Sequence, residues 1–92
     1  MKMRHAASVF LLVDPVQDYE ESLEVWGVYG SLSAAKVATR RARRANLSQY
    51  DQWRTTEVQR WRGHLCTDVW SYIPGERAEW RWRPGPDAVT ES

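Results

Sequence analysis

A single cysteine, Cys66, in 92 residues excludes an intrachain disulfide and points to a reducing compartment. The five glycines are scattered, so neither a P-loop nor a dinucleotide fingerprint can form. Long apolar runs are missing as well: Ala6–Val13 is far too short to cross a bilayer. Lys2, Arg4 and His5 precede that run in the manner of a signal peptide, but it stops at Asp14-Pro15 without a small-residue cleavage site. The expectation is a soluble, cytoplasmic protein that does not engage a membrane. Excess charge of one sign is also lacking. Lys and Arg number 13 against 12 Asp and Glu, a net charge of +1, which excludes the whole-molecule field of a strongly basic nucleic-acid binder.

Catalytic patterns are equally scarce. His64, Cys66 and Asp68 alternate along one strand, yet a metal centre needs further ligands. A Cys66 nucleophile with His64 as base would need an orienting group and an oxyanion pocket. The sequence therefore assigns no catalytic residue, no metal and no cofactor, and predicts a protein that is not an enzyme.

What is present is organised around Ser31–Asn46, the one segment with a helical period. Leu32, Ala35, Ala38, Ala42 and Ala45 share one side of a helical wheel. Lys36, Arg40, Arg41, Arg43 and Arg44 occupy the remaining arc with no acid among them. Ser31 suits the N-cap, and Asn46 suits a left-handed stop. The acids gather elsewhere, in Asp14, Asp18, Glu20, Glu21 and Glu24. A surface segregated in this way suits a charged partner or self-association of opposite patches.

The rest of the chain reads as strands. Ser8–Val13 is continuously apolar, as a strand covered by neighbours should be. Leu23–Tyr29 alternates and pairs with it as a hairpin. Trp53–Arg62, Leu65–Ile73 and Ala78–Arg83 follow, with Gly63-His64 and Pro74-Gly75 as turns. The pattern ββαβββ predicts an α+β domain over 1–83, a mainly antiparallel five-stranded sheet in the order 2-1-3-4-5 under one amphipathic helix. The last strand is then an edge discouraged from pairing by Arg81, Arg83 and Pro84. Residues 84–92 read as a disordered tail.

The segment VFLL…VWGVYGSLSAAKVA, residues 9–38, resembles the opening of a group of small uncharacterised bacterial and phage domains. In these a hairpin ends in a Gly-Val-Tyr/Phe-x-Ser step and enters a helix with an alanine one turn in. Gly27, Val28, Tyr29, Ser31 and Ala35 carry the resemblance. It implies the strand–turn–helix junction and no functional residue.

Six tryptophans in so short a chain exceed what an alanine-faced helix requires. Five strands at about 4.8 Å spacing make a sheet some 20 Å wide, and a helix covers about 10 Å of it. An aromatic face left open would mark a partner site or a dimer interface. The function expected is a non-enzymatic interaction module, a regulator or inhibitor that binds a protein partner or itself as a homodimer. The alternative is nucleic-acid binding, with the basic helix on phosphates and Trp stacking on bases. Lys36, Arg40, Arg43, Arg44, Trp80, Arg81, Trp82 and Arg83 are the candidate contact residues.

Overall fold

Continuous apolarity places β1 (Ser8–Asp14) inside the sheet, between β2 (Glu24–Tyr29) and β3 (Thr56–Arg62). β4 (Leu65–Ile73) and β5 (Glu79–Pro84) complete the sheet, and α1 (Leu32–Asn46) lies on one face. Every neighbouring pair is antiparallel and the order is β2-β1-β3-β4-β5, the α+β architecture that the pattern predicts. These elements come from a computed structural model that describes residues 7–89. Lys2, Arg4, His5 and Ala6, and residues 90–92 of the expected tail, lie outside the described residues. No helix among the described residues is long and apolar enough to cross a membrane.

Phe10, Leu12, Val58 and Ala35 form the buried centre, with Trp26, Tyr29, Leu32, Ala38, Ala42, Trp70 and Trp80 packed around it. The Ser31 hydroxyl caps the helix by accepting from the Ala34 N–H at 3.2 Å. The helix is turned from the expected stripe toward its basic side. Ala35, Thr39 and Arg43 are the buried positions, whereas Ala45 is exposed. Thr39 is tolerated there because its hydroxyl donates to the Ala35 carbonyl at 2.9 Å. Asn46 does not adopt a left-handed conformation. The helix passes into extended Leu47, and the Asn46 amide donates to the Ala42 carbonyl at 2.8 Å.

Two other boundaries differ from expectation. The third strand starts at Thr56, because a single 3-10 turn at Gln49–Asp51 and the hydrogen bond from Arg54 N–H to Asp51 O keep Trp53 and Arg54 in a loop. Residues 84–89 are not a free tail. Gly85 N–H donates to Thr67 O at 2.9 Å, and Asp87 N–H donates to Cys66 O at 3.0 Å. The Asp87 carboxylate accepts from Cys66 N–H at 2.8 Å. The chain thus satisfies backbone groups of β4 that β5 is too short to reach. Gly85 is required by this close approach: a Cβ there would fall onto the Cys66 carbonyl oxygen.

The tryptophans also sit differently from the expected open aromatic face. A bulge against Leu12 and Val13 turns Trp26 and Gly27 to the same side, so Trp26 joins Trp70 and Trp80 on the helix face. Their width closes the gap that the helix backbone leaves. Tyr72 packs edge-on to Trp80 at 5.3 Å, and Lys36 caps the Trp80 ring from 5.4 Å. The opposite face holds one tryptophan among the described residues, Trp61, in register with Val9. It grades from aliphatic Val9, Leu11, Val25 and Val28 on β1 and β2 to charged Glu79, Arg81 and Arg83 on β5.

Candidate functional site

The eight candidate contact residues do not form one surface. Arg43 is the clearest departure, being 5% exposed. Its guanidinium donates to Arg54 O at 2.6 Å, Thr56 Oγ1 at 2.7 Å and Gln52 O at 2.8 Å, and it lies 5.0 Å over the Tyr72 ring. Rotation of the helix turns this residue inward, where it ties α1 to the start of β3. Lys36 covers Trp80, so these two predicted contacts are spent on each other. Arg40 and Arg44 are exposed and line a cleft of about 270 Å³ together with Tyr72 and Gly75, but Glu76 shares it. Arg81 pairs with Glu79 at 2.6 Å. Arg83 crosses the open face to Glu57 at 2.7 Å and to the Ser71 hydroxyl at 2.8 Å.

The acidic stretch is not free either. Arg54, which the sequence reading passed over, grips Glu21 with both terminal nitrogens at 2.7 and 2.9 Å and holds Asp14 at 3.2 Å. Gln17 closes the loop by accepting from Thr55 N–H at 2.9 Å and donating to Thr55 O at 3.1 Å. The Arg54 hydrogen bonds hold the Glu21 carboxyl down to about 2. Burial pushes Asp14 up despite the same arginine. Two of the five clustered acids are therefore structural.

Trp82 remains available. It is 57% exposed and stands on the helix face opposite Trp70, beyond the cover of the helix. Its indole N–H donates to Asp68 Oδ1 at 2.9 Å, and Thr67 donates to the other carboxylate oxygen at 2.7 Å. Arg60 and Arg62 share that face, two residues apart on β3. Both direct their Nε–H at one hydroxyl, Ser8 Oγ, at 3.0 and 3.2 Å. Arg60 Nη1 also lies 3.6 Å from Asp68. These side chains line a groove of about 720 Å³ with Pro84, Pro86, Ala88 and Val89. Burial alone would raise the Asp68 carboxyl. The Thr67 hydroxyl, the Trp82 indole and the charges of Arg60 and Arg62 outweigh it and hold that carboxyl below its ordinary value.

The sequence did carry a signal for Arg60 and Arg62, since both fall on the Arg54/Thr56/Val58/Arg60/Arg62 side of the third strand. Their nearness to Trp82 depends on β4 lying between β3 and β5. A second recess, of about 560 Å³, runs between α1 and the β2 edge and is lined by Trp26, Tyr29, Ala34, Val37, Ala38 and Ala42. Cys66 is buried, and burial, followed by the Asp87 charge, pushes its thiol up. Comparison with protein-family models, curated proteins and solved structures returns no match to this chain.

Proposed function

We propose that this chain is a non-enzymatic protein-interaction module that docks through the β2 edge, with a second copy of itself as the occupant. The observation that carries this reading is the continuity of apolar surface around that edge. Val25 and Val28 are 53% and 62% exposed on the open face, and Val37 is 82% exposed beside the α1–β2 recess on the other. β2 itself contains no proline, lysine or arginine, and its deterrents to pairing are Glu24 at its start and the bulge at Trp26-Gly27.

The strand Glu24–Tyr29 is complementary to itself. Pairing it antiparallel with its copy, so that Glu24 faces Tyr29, sets Val25 against Val28 on the open face twice over. On the helix face the same register sets the large Trp26 against the small Gly27. Cross-strand β-branched pairs of this kind stabilise a ladder by about 0.2–1 kcal/mol each, and a twofold axis makes the contact isologous. Burial of Cys66 supports the non-enzymatic part of the reading, because a thiol raised by an apolar setting is a poor nucleophile.

Light scattering over a concentration series tests it. The native chain should associate as a dimer, and Val25→Arg with Val28→Arg should return it to a monomer without loss of the fold, both positions being exposed. A native chain that stays monomeric up to about 1 mM, where association would be worth no more than about 4 kcal/mol, overturns the reading. So does a dimer that survives the double substitution.

A further inference from the structure

We infer that the groove between Trp82 and the Arg60–Arg62 pair binds single-stranded nucleic acid, phosphates on the arginines and a base on the indole. This goes beyond the self-association reading and uses a different surface. Three observations carry it. The two guanidiniums lean on one hydroxyl, Ser8 Oγ, through their Nε atoms alone. Their terminal nitrogens make no hydrogen bond to protein among the described residues. Arg60 Nη1 lies 3.6 Å from Asp68, whose carboxylate is already engaged by Thr67 and Trp82, and the Asp87 carboxylate at that end accepts from Cys66 N–H. Two cations oriented together, the fork of Arg62 unspent and that of Arg60 only loosely paired with a single acid, are an anion site of net positive charge.

The second observation is the platform. Trp82 is exposed, yet its indole edge is pinned by Asp68, so a base that stacks on it meets a ring already held in place. The third is the spacing. Arg60 and Arg62 stand two residues apart on one strand face, about 6.6 Å, and can hold successive phosphates of an extended backbone while a base reaches the indole. The acidic cluster does not oppose this. Arg54 and Thr56 mark that end of β3, and four to six residues of strand, about 13–20 Å, separate Thr56 from the two arginines.

The wall of the groove argues for nucleic acid over an extended peptide. A peptide recognised by strand addition needs free main-chain donors at the edge. Here the edge ends in Pro84 and Pro86, which have none, and Gly85 N–H is already given to Thr67. Stacking and charge are what remains, and both suit a nucleotide chain.

Fluorescence anisotropy of a labelled oligothymidylate at several salt concentrations tests the inference. The native protein should bind the single strand more tightly than a duplex of mixed sequence, whose paired bases cannot reach the indole. Arg60→Ala with Arg62→Ala should flatten the slope of log affinity against log salt by about 1.4, two contacts at roughly 0.7 each. Trp82→Ala should weaken binding between about 5- and 150-fold, the value of one stacked base. Arg40→Ala with Arg44→Ala should leave the slope unchanged. Absence of binding at low salt overturns the inference. It also fails if the helix pair moves the slope in place of the strand pair, or if the duplex binds as well as the single strand. An extended acidic peptide that binds as tightly as the oligonucleotide would reassign the groove to protein.

Discussion

The two ends of the sheet are built from the same residue types and differ in whether the charges are matched. At one end Arg54 meets Asp14 and Glu21, Arg43 meets two carbonyls and the Thr56 hydroxyl, and Gln17 spans the loop. No buried side-chain nitrogen or oxygen among the described residues lacks a partner. At the other end Arg60 and Arg62 share one hydroxyl, and only Arg60 comes near a carboxylate, Asp68 at 3.6 Å, which Thr67 and Trp82 already engage. An arginine whose donors are all used is part of the fold. One held in place with donors unused presents them to solvent. The number of arginines is therefore a poor guide to function here, and their unspent hydrogen bonds are a better one.

The sharpest way to break this comparison is to remove an arginine from each end. Arg43→Met or Arg54→Met should destabilise by about 3 kcal/mol, because buried acceptors or a carboxylate lose their partners. Arg60→Ala or Arg62→Ala should cost no more than about 0.5 kcal/mol. Urea denaturation of the four variants measures both, and equal losses at the two ends would erase the distinction.

A smaller effect belongs to the wall of the open end. Gly85→Ala should cost about 1–3 kcal/mol by overpacking, since the added methyl meets the Cys66 carbonyl and lies 2.9 Å from the Thr67 carbonyl carbon. Gly30→Ala, with open space around it, should be silent in the same thermal melt. If both are silent, residues 84–89 do not hold their place against β4.

The smallest effect is a pH dependence in acid, led by Glu21 at the matched end, with Asp68 at the other end also held below its ordinary value and acting with the same sign. Glu21 falls from an ordinary value of 4.5 to about 2 on folding, chiefly through its hydrogen bonds from Arg54. A carboxylate depressed in this way stabilises the fold above its unfolded pKa and loses that contribution as the pH falls from about 4.5 toward 2. Asp14, raised by burial, acts with the opposite sign: its contribution is present in acid and fades as the pH rises through its folded value. Melting temperatures of the native chain should therefore decline across that window, and Glu21→Gln should make the decline shallower. An unchanged decline would mean that the Arg54–Glu21 pair adds nothing.

Much of the fold was legible because it rests on short-range rules. The apolar run at Ser8–Val13 demanded neighbours on both sides, and the helix after the hairpin required the third strand to return beside the first. The Ser31 cap and the Pro74-Gly75 turn are local chemistry. The helix stripe was off by part of a turn because alanine gives a weak apolar signal. Arg43 could point inward only because three oxygens from the 52–56 segment were waiting for it. The tail was misread for a related reason. Pro84-Gly85-Pro86 looks like an ending, and nothing nearby in sequence reveals that β4 has unsatisfied groups beyond the end of β5.

The candidate sites divide along the same line. Sequence alone determined that arginine and tryptophan would be the notable surface chemistry, that no phosphate loop is present, and that five strands would take the order 2-1-3-4-5. Which arginines are spent and which are free was decided by tertiary structure alone. An arginine's role depends on whether acceptors lie within about 3 Å of its fork. Those acceptors come from segments such as Asp14 and Glu21 for Arg54, or Ser8 for Arg60, which stand 33 to 52 residues away in the chain.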